Sequence, residues 1–152
     1  GKIAQFEDRF IPQKALSHGQ QVQKVFGING AKAQAQQGFP TIVKFGLPEL
    51  DKSRQIQGNE TTARVDALLA MMTILDDTCV LYRAGETGLA RMQQGAQEVL
   101  DLGGYSTFAG QRAFNSLEQD LLRLRASPGG VADLLAATLF IDRVEQFYFN
   151  NK

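Results

Sequence analysis

Apolar residues recur every three to four positions along most of the chain, the spacing of one helical face. Over residues 60–75, Val65, Leu68, Leu69, Met72 and Leu75 share a stripe, and Asn59 stands where an N-cap belongs. Residues 87–102 repeat the pattern with Leu89, Met92, Ala96, Val99 and Leu100, and Gly103-Gly104 closes it as a C-cap pair. Residues 107–125 carry Phe114, Leu117, Leu121 and Leu124 at the same spacing. Ser127-Pro128 predicts the start of a last helix, with Ser127 as cap and Pro128 at the first helical position. That helix runs through Leu134, Leu135, Thr138, Leu139 and Ile141 towards Phe147. Nearer the N-terminus, residues 3–10, 17–26 and 31–37 read as helices, the last ended by Gly38. Residues 39–50 contain Pro40, Gly46 and Pro48 and predict a loop or broken helix laid over the core. Residues 51–59 are polar and predicted to be exposed, and Thr41-Ile42-Val43-Lys44-Phe45 is the one strand candidate. No repeat or linker interrupts the pattern, which predicts an all-α fold, a single compact multi-helix domain over residues 1–152.

Charge and composition remove several function classes. The 16 basic and 16 acidic residues cancel, so no general basic surface for nucleic acid is expected. The longest apolar runs, such as Ala67-Leu68-Leu69-Ala70-Met71-Met72, are too short to span a bilayer, which predicts no membrane association. Lys2, Glu7, Asp8 and Arg9 stand where a signal peptide would be apolar, and a single cysteine, Cys79, suits a reducing compartment. Both features predict a cytoplasmic protein. The chain begins at Gly1 and not at a methionine, which suggests a fragment or a processed product.

Four segments carry residue types that packing alone does not ask for. In residues 125–133, Gly129 and Gly130 weaken the start of an otherwise strong helix. They suit either the close approach of a phosphate to exposed backbone N–H groups or the tight packing of a neighbour. Asp133 follows in the first turn, and a carboxylate beside a phosphate calls for a bridging cation such as Mg2+. Leu75-Asp76-Asp77-Thr78 places two carboxylates at the end of an apolar helix. They read as metal ligands or a general base, or equally as an N-cap of the next helix. In Tyr82-Arg83-Ala84-Gly85-Glu86-Thr87-Gly88, the Arg83 fork suits polyphosphate oxygens, or a salt bridge to Asp76 or Asp77. Finally come Ser17-His18-Gly19, Gly30-Ala31-Lys32 and Gly38-Phe39-Pro40, in which His18 and Lys32, with Lys44 beyond them, offer weaker candidates for phosphate contacts. A phosphate-binding Gly-x-x-x-x-Gly-Lys-Ser/Thr loop and a Cys/His zinc cluster are both missing from the sequence.

Taken in order, these segments resemble the triphosphoribosyl-dephospho-coenzyme A synthase family. Residues 127–138, Ser-Pro-Gly-Gly-Val-Ala-Asp-Leu-Leu-Ala-Ala-Thr, are similar to its C-terminal signature. Leu75-Asp76-Asp77-Thr78 with residues 83–89 resembles its central motif, and Ser17-His18-Gly19, Gly30-Ala31, residues 38–41 and Gly46-Leu47-Pro48 a third block. The sequence departs from the family at Ala84 and Cys79, where glycine and a polar residue are frequent. The resemblance implies a transferase that joins ATP to 3'-dephospho-coenzyme A with loss of adenine. Its product passes through a carrier-protein transferase to an acyl-carrier subunit of malonate decarboxylase or citrate lyase, the wording of residues 38–48 favouring the malonate version. It also implies that this chain is the C-terminal part of a longer enzyme whose N-terminal half is missing. On this reading Asp77 and Asp133 are catalytic. Asp76, Asp77 and Asp133 hold Mg2+, and Arg83, Ser127, Gly129, Gly130, His18 and Lys32 bind the nucleotide phosphates. An all-helical magnesium hydrolase of nucleotides or ADP-ribose, and a non-catalytic helical interaction module, are the rival expectations.

Overall fold

A computed structural model describes residues 31–57 and 59–151, with positions 15, 17, 20, 21 and 24 before them. The predicted helix over residues 3–10 lies outside the described residues, as do His18 and much of residues 17–26. At the start of the latter segment, the Gln20 N–H donates to Ser17 Oγ at 3.3 Å and the Ser17 N–H to Gln20 Oε1 at 2.8 Å, a capping box.

Among the described residues the fold is helical: α1 Ala31–Gln36, α2 Leu47–Gln57, α3 Glu60–Met72, α4 Thr78–Asp101, α5 Phe108–Arg123 and α6 Gly129–Asn150. A π-helix, Ile42–Gly46, runs directly into α2, and a 3-10 turn, Gly104–Ser106, joins α4 to α5. No strand occurs among them, as the apolar spacing predicts. Two caps follow their side chains. Asn59 Oδ1 accepts the Thr62 N–H at 3.1 Å ahead of α3, and Thr107 Oγ1 accepts the Gly110 N–H at 2.9 Å ahead of α5.

The core forms around α3, which packs against α2, α4, α6 and the π-helix. Its alanines 63, 67 and 70 let those neighbours approach, while Leu69, Met71 and Met72 interlock with Val80, Met92, Val99, Leu117, Val131 and Leu134. Each such fully buried side chain contributes roughly 1.5–3 kcal/mol.

Four expectations are corrected. Of the two readings of residues 39–50 the loop fails and the irregular helix holds: the Leu47 N–H reaches Ile42 O, five residues back, so the strand candidate is a π-helix that continues into α2. Residues 51–59 are not simply exposed, because Ser53 is buried and donates from Oγ to Asp66 Oδ2 at 2.8 Å. The α3 helix ends at Met72, short of Leu75, and α4 starts at Thr78, well before residue 87. Ser127 does not cap the last helix, whose start at Gly129 follows Pro128 with no side-chain cap from its own end.

The middle of α6 is fixed by a charge cluster. Arg54 Nη1 and Nη2 donate to the two oxygens of Asp142 at 2.9 and 3.0 Å, and Arg54 Nε donates to Glu60 Oε2 at 2.8 Å. The last turn of α2, the first turn of α3 and the middle of α6 are thereby tied together. The guanidinium holds the Glu60 carboxyl down at about 2, from an ordinary 4.5. A carboxyl depressed in the folded state stabilises above its unfolded value and loses that contribution as pH falls through its folded value. Glu60→Gln should therefore differ from wild type in urea midpoint at pH 6, and the difference should vanish between pH 4.5 and 2. A gap that persists at pH 2 would mean that the Glu60 charge is not its source.

Candidate active site

The turn between α3 and α4 has to dispose of two adjacent carboxylates, and it treats them in opposite ways. Asp76 is exposed, and its Oδ1 accepts from Gln93 Nε2 at 3.3 Å, the same amide donating to Leu75 O at 3.2 Å. Asp77 is fully buried. Its Oδ1 accepts the N–H groups of Cys79 and Val80 at 2.8 and 3.3 Å, which makes it the N-cap of α4. Its Oδ2 accepts the Val131 N–H at 2.8 Å, on the first turn of α6. One carboxylate thus caps two helix starts, and its bond to Val131 spans 54 residues of sequence. Burial pushes the Asp77 carboxyl up, and backbone donors at Val131, Val80, Cys79 and Gly130 pull it back towards the charged form.

This arrangement explains the two glycines at the head of α6. A Cβ on Gly130 would stand 3.1 Å from Asp77 Oδ2, and one on Gly129 would stand 3.0 Å from Cys79 Sγ. The glycines let the helix start come down onto the carboxylate and the thiol. The same geometry uses up the N–H groups there. Gly129 donates to Ser127 O at 2.8 Å, Val131 to Asp77, and Ala132 to Pro128 O at 3.0 Å. The expected cradle of Gly129 and Gly130 amides around a phosphate is therefore corrected: a side-chain carboxylate already occupies the anion position of this helix.

The described residues do not gather Asp76, Asp77 and Asp133 into the expected metal set. The Asp77 oxygens are directed at backbone donors, and among the described residues no group of three His, Cys, Asp or Glu side chains is placed to hold a metal ion. The residues present do not fit a protein-built Mg2+ site.

What the turn does gather is a set of exposed charges around Cys79. The thiol is pushed up first by burial and then by the Asp77 charge, raised further by Asp133 and lowered by Arg83. Arg83 and Asp133, from separate motifs, therefore lie within electrostatic reach of one sulfur atom, and both are exposed, as is Ser127. No ion pair joins Arg83 to Asp76 or Asp77 among the described residues, so the salt-bridge reading of the third motif falls away. Gly85 carries the second irregularity. At φ 64° and ψ −164° it occupies a region essentially reserved for glycine and breaks α4 two residues after Arg83. Lys32 stands exposed on α1, two residues before Gln34, and His18 lies outside the described residues.

Sequence reasoning missed Asp66. It sits on the buried face of α3, where its Oδ1 accepts the Tyr105 N–H at 2.8 Å and its carboxyl faces Gly104 in the left-handed conformation. A lone acid among Thr62, Ala63, Ala67 and Ala70 was the available signal.

The double cap makes Asp77 a stability residue. A lost N-cap costs about 1 kcal/mol, and two caps plus unsatisfied buried N–H groups bring Asp77→Ala to roughly 3 kcal/mol. For a domain of this size that is a fall of roughly 10 °C in Tm by circular dichroism. The motif alone suggests the reverse, lost chemistry with unfolding nearly unchanged, and an unaltered Tm would restore that reading.

The comparisons with known proteins agree with the motif order. The family model described as CitG: ATP:dephospho-CoA triphosphoribosyl transferase matches residues 2–151. Proteins named probable 2-(5''-triphosphoribosyl)-3'-dephosphocoenzyme-A synthase are similar in several bacteria. That of Pseudomonas fluorescens Pf-5 is 56% identical over 95% of this chain and 49% of its own length. That of Pseudomonas savastanoi pv. phaseolicola is 57% identical over 94% and 49%, and that of Azotobacter vinelandii 51% identical over 95% and 49%. The chain spans about half the length of these relatives. No solved structure matches it. With essentially its whole length inside the family model, the chain belongs to the ATP:dephospho-CoA triphosphoribosyl transferase family.

Proposed function

We infer that this chain supplies part of the active site of an enzyme that joins ATP to 3'-dephospho-coenzyme A. The observation that carries the reading is the meeting of the 75–78, 83–88 and 127–133 segments around Asp77 and Cys79, with Arg83 and Asp133 left exposed beside them. In the reaction the 2'-hydroxyl oxygen of dephospho-coenzyme A attacks C1' of the ATP ribose. The C1'–N9 bond breaks, the hydroxyl gives up its proton, and adenine leaves having gained one. Such a centre passes through an oxocarbenium-like state, as glycosides do. Positioning and charge placement are then the main tasks of the protein.

Arg83 is the residue suited to the triphosphate, since its planar fork matches phosphate oxygens. Asp133, exposed just past the first turn of α6 and not within it as its motif suggests, is the carboxylate available to take the hydroxyl proton. Ser127 supplies a hydroxyl close by, and Asp77 acts one step back by holding the two helix starts in place. Magnesium is expected to arrive on the triphosphate, as it commonly does in nucleotide sites. The remaining half of the family's length is proposed to complete the site, in a cytoplasmic enzyme whose product goes to a carrier-protein transferase. The wording of residues 38–48 favours the carrier of malonate decarboxylase over that of citrate lyase. No helix among the described residues is long and apolar enough to cross a membrane.

Two measurements test the reading. Calorimetric titration with ATP and magnesium should show binding that weakens about tenfold, or 1.4 kcal/mol, in Arg83→Ala, and is unchanged in Asp133→Ala, whose loss should fall on turnover instead. Both residues are exposed, so the Tm of each variant should stay close to that of wild type. Wild-type affinity in Arg83→Ala would remove Arg83 from the nucleotide site, and undiminished turnover in Asp133→Ala would remove Asp133 as the proton acceptor. Mass spectrometry of a reaction with ATP and dephospho-coenzyme A, run with the other half of a relative's chain added, should show the ribosyl conjugate and free adenine. A hydrolysed ribose in place of the conjugate would identify a hydrolase.

A further inference from the structure

A cavity opens beside the turn between α3 and α4. It has a volume of about 240 Å3 and is lined by Gln34, Pro40, Thr41, Lys44, Phe45, Ile74, Leu75 and Asp76. We propose that this cavity, between the π-helix, α1 and the α3–α4 turn, binds an adenine base. The inference rests on the reading above for its source of adenine, and on the cavity alone for its location.

Size comes first. Drug-sized ligands occupy roughly 300 Å3 or more, so a space of this volume takes a single ring system and not a whole nucleotide. Its chemistry fits a purine with an exocyclic amine. Pro40, Phe45, Ile74 and Leu75 offer apolar and aromatic cover for two flat faces. The polar groups divide into both kinds that a base edge requires. Gln34 Oε1 is turned towards the Thr41 N–H at 3.1 Å, which leaves the amide NH2 as a donor for a ring nitrogen. Lys44 is a second donor. Asp76 accepts from Gln93 through Oδ1, which leaves Oδ2 for an exocyclic amine.

The backbone around the cavity is also unusual. Thr41, Lys44 and Phe45 reach it from a π-helix and its lead-in, an element that recurs at functional sites. The chain enters that element through Gly38 at φ 76° and Phe39 at φ 56°, and the left-handed conformation is costly for an aromatic residue. A bulky residue held there is the kind of strain that a binding site retains. Gly46, at the far end, lies against Met71 and Thr138 with no room for a Cβ, so the wall of the cavity is anchored to α3 and α6.

The test is a titration of the chain with adenosine followed by backbone amide NMR, which needs no turnover. Shifts should concentrate at Gln34, Thr41, Lys44, Phe45, Ile74 and Asp76. Binding should weaken at least fivefold in Lys44→Met and in Asp76→Asn, both exposed positions whose fold is checked by the unchanged remainder of the spectrum. Uridine should bind more weakly by a similar factor. Parallel titrations with ATP, dephospho-coenzyme A and base-free ribose 5-triphosphate identify the source of the base. A loss confined to ATP or to dephospho-coenzyme A names the one seated here. An equal loss for ribose 5-triphosphate would overturn the proposal in favour of a phosphate contact. Adenosine shifts elsewhere, or none, would overturn it as well. If ATP and dephospho-coenzyme A still yield the conjugate in that case, the transferase reading survives and only the adenine cavity fails.

Discussion

A carboxylate buried without a cation is costly unless its lone pairs find donors. Asp77 finds them on the backbone, at Cys79 and Val80 on one side and at Val131 and Gly130 on the other. The N-terminus of a helix carries roughly half a positive charge, so two such ends facing one carboxylate stand in for a counter-ion. The rest of the site depends on this contact. It fixes where α6 begins relative to α4, and so where Asp133 stands relative to Arg83 and Cys79. It also dictates glycine at 129 and 130, because the helix head has to touch the carboxylate and the thiol directly.

That dependence separates what could be read in the sequence from what could not. The stripes of α3, α5 and α6 and the cap at Asn59 act within one or two turns, and local spacing reports such effects well. The role of Asp77 depends on a residue 54 positions away, and no local pattern encodes a partner at that distance. Glycine and aspartate in these motifs suit a phosphate site and a shared cap alike, since both demand backbone donors and close approach. Residues 39–57 misled for another reason. Pro40, Gly46 and Pro48 look like breaks, but the helical path runs on through Pro48 from the π-helix into α2, and Gly46 serves contact with α3 and α6. Ser53 and Asp66 satisfy each other across two helices, so neither looked buried in its own segment.

Membership of the family and the geometry of the site bear on different questions. The family match covers residues 2–151, yet the relatives are about twice as long. The described residues leave Arg83 and Asp133 exposed near Cys79, and no group of three His, Cys, Asp or Glu side chains among them is placed to hold a metal ion.

The charge cluster at Arg54 has a mechanical consequence for α6. That helix is pinned at Val131 by Asp77 and at Asp142 by Arg54, about three turns apart. Past the second pin every residue from 143 to 150 is exposed, Phe147, Tyr148 and Phe149 among them. The final two turns therefore behave as a cantilever: a beam clamped at two points with its free end in solvent. The two clamps stand between the aromatic tip and the turn at Cys79, so the helix head keeps its own fixed point, independent of the one at Asp142.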